Sequence, residues 1–145
     1  MATTQTIFAD ATQALNAHDY DKFEALHEPQ ADVWQSGMPG KDIKAQIEGL
    51  KALAAGFPDG RWIAENPIED GERCSAEHRF EGTQTGVLRL AGAPEIAPTG
   101  KKVTLNASVV LTVRSGKVSR ARVYTDRMQL VEQLGLAPTP AKATV

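Results

Sequence analysis

VTLNASVVLTV, residues 103 to 113, decides the architecture. Val103, Leu105, Ala107, Val109, Leu111 and Val113 fall on one side of an extended chain, and Thr104, Asn106, Ser108 and Thr112 fall on the other. That period of two is the pattern of a strand with one face in a core. Residues 74 to 82 alternate in the same way, with Cys74, Ala76, His78 and Phe80 opposite Ser75, Glu77, Arg79 and Glu81. His78 therefore lies on an apolar face. Turn chemistry at Glu69-Asp70-Gly71, at Ala97 to Gly100 and at Ser115-Gly116 divides residues 61 to 126 into a meander of strands.

Upstream of this sheet the apolar period changes to that of helices. Ile7, Phe8, Ala11, Ala14 and Leu15 predict an amphipathic helix over about residues 4 to 17, with threonines placed to cap it. A second helix is predicted after Asp19, with Tyr20, Phe23 and Leu26 inward and Pro29 as its stop; a short strand follows around Val33 and Trp34. Ile43, Ile47, Leu50, Leu53, Ala54 and Phe57 trace a third helix, ended by Pro58-Asp59-Gly60. A closing helix follows Asp126, with Leu130, Val131 and Leu134 inward and Gly135 as its stop. Helices first, then a mostly antiparallel sheet, then one helix make an α+β fold with the helices on one sheet face. Residues 1–136 are expected to form one domain and residues 137–145 a disordered tail.

Composition narrows the function. A formal net charge of -2 argues against a surface that must neutralise many phosphates, so nucleic acid is not an expected partner. Cys74 is the single cysteine and the three histidines are scattered, which leaves no intramolecular disulfide and no zinc-spaced cluster; no metal is expected. The first residues lack a basic-then-apolar leader pattern, and no stretch of eighteen apolar residues occurs, so a cytoplasmic protein with no membrane partner is expected.

FPDGRW (57 to 62), GTQTG (82 to 86), PTGKKV (98 to 103) and DRMQLVEQLGL (126 to 136) together resemble the SnoaL-like polyketide cyclase family, over roughly residues 10 to 136. The resemblance implies the cone-shaped fold of the nuclear transport factor two-like superfamily: a curved sheet wrapped round helices, enclosing a deep apolar pocket, in a homodimer. It implies a hydrophobic small-molecule substrate and ring closure by intramolecular aldol condensation without cofactor, with an aspartate as acid/base. The residue matching that aspartate is Asp126. Where family members often carry histidine this chain has Gln84, and where they carry a histidine-tryptophan pair it has Ala121 and Arg122.

Each candidate side chain has a functional and a plain reading. The Asp126 carboxylate is placed to take a proton α to a carbonyl, with a pKa raised by an apolar pocket, or to cap the closing helix. His78 is placed to hydrogen-bond a substrate oxygen, or to orient Asp126, or is a satisfied core histidine. Trp34, Met38, Phe57 and Trp62 offer flat surface to a ring-shaped substrate or fill the core. Gln84 is a candidate substrate-positioning residue. Arg122 and Tyr124 share the parity of Asp126 on the last strand, so an unbroken strand carries them into the pocket with it, and a bulge near residue 125 does not. Beside a cyclase, the residues leave open a non-catalytic binding or accessory domain, an isomerase, and an epoxide hydrolase in which a water would be held between Asp126 and a second acid bridged by Arg122.

Overall fold

The structure, a computed structural model, describes residues 3–38 and 40–136. Along these residues the elements are α1 (Thr4–Asn16), α2 (Tyr20–Ala25), β1 (His27–Gln35), α3 (Ile43–Gly56), β2 (Arg61–Asp70), β3 (Arg73–Thr83), β4 (Lys102–Arg114), β5 (Lys117–Thr125) and α4 (Arg127–Gln133). The tail expected over 137–145 lies outside the described residues.

Side-chain oxygens start all four helices. Thr3 accepts from Thr6 N–H, Asp19 from Lys22 N–H, Asp42 from Ala45 N–H and Asp126 from Met128 N–H. Each such cap is worth about 1 kcal/mol. Helix α2 ends at Ala25, before Pro29, and the strand that follows is longer than expected, because β1 already begins at His27. Pro29 sits inside that strand. It is tolerated because β1 is an edge strand whose pairing with β5 is interrupted between His27 and Asp32, so no ladder bond needs the missing N–H.

The sheet runs β1-β5-β4-β3-β2, with β1 parallel to β5 and the other neighbours antiparallel. Besides the interruption in β1, two irregularities bend it, one in β2 between Glu65 and Ile68 and one in β5, where Ser119 is an extra residue between the Val113–Val118 and Thr112–Arg120 pairs. The β4 alternation is as read from sequence: Val103, Val109, Leu111 and Val113 are buried. Helices α1 to α3 cover the inner face, where Ile7, Phe8, Leu15, Phe23, Ile43 and Ile47 join Cys74, Ala76, Val109 and Leu111 in the main core. Full burial of such a side chain contributes about 1.5–3 kcal/mol. A second cluster of Phe57, Phe80, Leu88, Val103, Leu130 and Leu134 closes the other end under α4. Gln133 pins α4 to β4, accepting from Thr104 N–H at 2.7 Å and donating to Thr104 C=O at 2.7 Å. The result is a cone-shaped α+β fold, with helices packed on one face of a bent, mostly antiparallel five-stranded sheet.

Candidate active site

Between the inner sheet face and the helices lies a cavity of about 510 Å³. Its interior is apolar, built by Phe8, Leu15, Phe23, Val33, Leu111 and Val118. Its rim carries exposed polar side chains, Glu48, Arg89 and Asp126 among them. A volume and lining of this kind can take a small, mainly apolar molecule.

His78, Met38, Trp62 and Asp126 all line this cavity. His78 is buried, stacked on Trp62 with ring centroids 4.7 Å apart and edge-on to Phe8 at 5.4 Å. Burial pushes its pKa down from 6.5 to about 4, so the imidazole is neutral at physiological pH. Asp126 is at the rim and exposed. Its Oδ1 accepts from Met128 N–H at 2.9 Å, and among the described residues no donor reaches Oδ2. Asp126 thus caps α4 and stands at the cavity rim.

Local bonds fix where Asp126 stands. The Ser36 hydroxyl donates to Thr125 C=O at 2.7 Å and accepts from Thr125 N–H at 2.8 Å. The Arg127 guanidinium donates to Gly37 C=O at 2.6 Å. Gly37 has φ +77°, and a Cβ there would come 2.6 Å from Arg127 Cδ, so glycine is needed on both counts. The turn after β1 therefore clamps the junction of β5 and α4.

Five other candidates stand away from the cavity. The bulge at Ser119 sets the parity of β5 so that Ala121, Val123 and Thr125 face inward, and Asp126 reaches the rim because the strand ends at Thr125. Arg122 and Tyr124 are on the outer face. Arg122 donates to the Asp32 carboxylate at 2.6 Å and so does not bridge Asp126 to a second acid. Tyr124 is 52% exposed and packs edge-on against Trp34 at 5.3 Å, which places Trp34 outside too. Phe57 is fully buried against Phe80 in the second cluster. Gln84 is fully buried and both ends of its amide are occupied. Its Nε2 donates to the carbonyls of Gly86, Ile96 and Ala97, and its Oε1 accepts from Thr99 N–H and Thr99 O–H. Gln84 holds the 84–101 loop in shape and has no free polar atom for a substrate.

The cavity also contains polar groups that the sequence did not single out. His27 is buried, with Nδ1 2.8 Å from Phe23 C=O, and burial lowers its pKa as well. Gln46 Nε2 donates to Gln35 Oε1 at 2.9 Å, and both residues line the wall. Thr12, on the α1 stripe, donates its hydroxyl to Phe8 C=O at 3.0 Å and sits 3.4 Å from His78 Nε2. Parity with Val33 was the available signal for His27 and Gln35, hidden because Pro29 obscured where β1 starts. Among the described residues no three His, Cys, Asp or Glu side chains gather as a metal site, and no helix is long and apolar enough to cross a membrane.

Residues 8–121 match the profile of the SnoaL-like domain. No curated protein is a significant match. Among solved structures, AclR from Streptomyces galilaeus, a proposed hydroxylase, superposes with a TM-score of 0.79 at 17% identity, covering 95% of this chain and 84% of that one. IdmH from Streptomyces antibioticus, a proposed polyketide cyclase, gives 0.77 at 20% identity, covering 90% and 97%. A SnoaL-like polyketide cyclase from Agrobacterium tumefaciens gives 0.70 at 23% identity, covering 93% and 100%. These likenesses establish the fold; proteins given different activities share it, so the reaction must be argued from the site.

Proposed function

The chain belongs to the SnoaL-like domain family, and from that premise we propose that it is an acid/base enzyme acting on a hydrophobic carbonyl compound, a polyketide ester cyclase working by intramolecular aldol condensation without cofactor. The observation that carries this reading is the placement of Asp126 at the rim of an apolar cavity with one carboxylate oxygen held by Met128 N–H and the other unengaged. In the proposed step Asp126 takes the proton from the carbon between two carbonyls. The resulting enolate carbon bonds to a second carbonyl carbon of the same molecule, whose π pair moves to oxygen, and Asp126 returns the proton to that alkoxide. Atoms and electrons balance with no redox partner. His78, neutral in its aromatic setting, positions the substrate, and Trp62 and Met38 supply apolar surface to its rings.

The test is turnover by the Asp126→Asn variant on β-keto-ester ring precursors: the proposal expects loss of cyclisation with ligand binding retained. Full activity in that variant removes Asp126 as the base. A second reading, a non-catalytic binding domain, is favoured by one fact, the use of Asp126 Oδ1 as a helix cap, and it expects wild-type and variant to bind alike and neither to turn over.

The same reading takes the protein as a cytoplasmic homodimer. The exposed Tyr124 packed on a half-buried Trp34 on the outer sheet face supports joining of two copies there.

A further inference from the structure

The polar groups of the cavity interior share one polarity. A carbonyl only accepts, so the contact of His27 Nδ1 with Phe23 C=O requires the proton on Nδ1, and in the neutral ring Nε2 is then a bare acceptor. The Thr12 hydroxyl has a single proton and spends it on Phe8 C=O. His78 Nε2 must therefore donate to the Thr12 oxygen, which leaves His78 Nδ1 bare. Thr125 likewise spends its hydroxyl proton, on Asn106 C=O at 3.1 Å. Four side chains of the wall, on α1, β1, β3 and β5, thus offer lone pairs.

The two bare nitrogens are open to the cavity. Among the described residues only Thr4 Oγ1 and Gln129 Oε1 are sealed side-chain polar atoms without a partner, so the free nitrogens of His27 and His78 keep accessible surface. Both rings are more than nine-tenths buried and both line the cavity, so that surface faces its interior. Acceptors there repel an anion and give a carbonyl oxygen nothing to accept from. Free donors lie on the Gln35–Gln46 amide pair and on Arg127.

We propose that His27 and His78 together select an uncharged ring molecule that carries a hydroxyl, phenolic or enolic, at the end that enters first. The hydroxyl donates to a bare imidazole nitrogen deep in the cavity, and the ligand's carbonyl stays toward the Gln35–Gln46 pair and Asp126. The inference rests on the cavity being the ligand site and names the ligand's polarity and direction of entry.

Titration calorimetry of the whole protein with naphthol, its methyl ether and naphthaldehyde, substituted at the same ring carbon, tests it. The expected result is naphthol binding roughly ten-fold tighter than either of the others, the difference one buried hydrogen bond makes. His27→Phe and His78→Phe should each erode that preference, and Trp34→Phe, outside the cavity, should leave it intact. Because a histidine variant can misfold, the imidazole nitrogen chemical shifts of the wild-type protein give an independent reading: an Nδ1–H tautomer at His27 and an Nε2–H tautomer at His78. Equal binding of naphthol and its ether, binding of none of the three, or the opposite tautomer at either histidine overturns the inference. Its failure is separable from that of the cyclase reading: naphthol preference with a fully active Asp126→Asn variant removes only the base, and no preference with an inactive variant removes only the histidine selection.

Discussion

The imidazole of His78 lies against the Trp62 indole with centroids 4.7 Å apart and planes 27° from parallel. Together with Phe8 edge-on, this setting excludes water from the imidazolium form, and burial is why the pKa falls from 6.5 to about 4. A depressed histidine pKa means that the folded protein binds fewer protons than the unfolded chain between those values. The stabilisation is present in full above about pH 6.5 and is lost as pH falls toward 4, by about 3 kcal/mol in total. His27, also lowered by burial, works in the same direction. Urea unfolding at about pH 7 and pH 4 measures this, and the loss should shrink by about 2 kcal/mol in His78→Gln. An equal loss in wild type and variant would mean that His78 is not held neutral by the fold.

The Gln84 amide is saturated inside the protein: its two N–H protons are shared among the carbonyls of Gly86, Ile96 and Ala97, and its oxygen accepts twice from Thr99. Gln84→Leu keeps the volume and strands these partners, so a loss of about 2–4 kcal/mol is expected, with faster amide exchange at Ile96 and Thr99. Were Gln84 a substrate contact, KM would rise and the unfolding midpoint would stay.

The GTQTG stretch shows what was legible and what was not. Its glycines mark close approaches: a Cβ on Gly82 would come 3.1 Å from Gly60 Cα, and one on Gly86 would overlap the Ala55 carbonyl oxygen. A stretch that carries part of the family resemblance is here a packing device for the loop over α3. The strands β3 and β4 were readable because each has one wet and one dry face, and α1 and α3 because their stripes are long. The parity of β5 was not, because a single extra residue, Ser119, reverses it, and nothing in a run of alternating side chains marks a bulge. His27 was missed for a related reason: an edge strand tolerates the proline that reads as a break.

Gly86→Ala tests that packing reading. The overlap is with backbone at the end of α3, next to the Gly86 N–H bond to Gly56 C=O at 3.1 Å, so no side-chain rotation relieves it. A loss of about 2–3 kcal/mol is expected in thermal or urea unfolding. A change within a few tenths would show that the loop can move off the helix.

Trp34, half-buried, and Tyr124, 52% exposed, pack edge-on against each other on the outer face. If this face joins two copies, Tyr124→Glu places a charge in the contact and should bring the sedimentation mass down to that of one chain, with naphthol binding unaltered because neither residue lines the cavity. A wild-type protein that sediments as a monomer removes the homodimer.

Asp126 carries two functions that substitution can separate. Asparagine caps helices as well as aspartate does, because its side-chain carbonyl accepts the same N–H, whereas alanine cannot. Asp126→Asn should therefore keep the unfolding midpoint close to wild type, while Asp126→Ala should lose about 1 kcal/mol through the Met128 N–H left without its partner. Proton transfer sorts the variants differently, since neither amide nor methyl is a base, and both should be inactive. Stability following asparagine and activity following neither would assign the carboxylate to both roles. Activity that tracked stability across the two variants would leave Asp126 with the cap alone and move the search for a base to the only other carboxylate of the cavity lining among the described residues, Glu48.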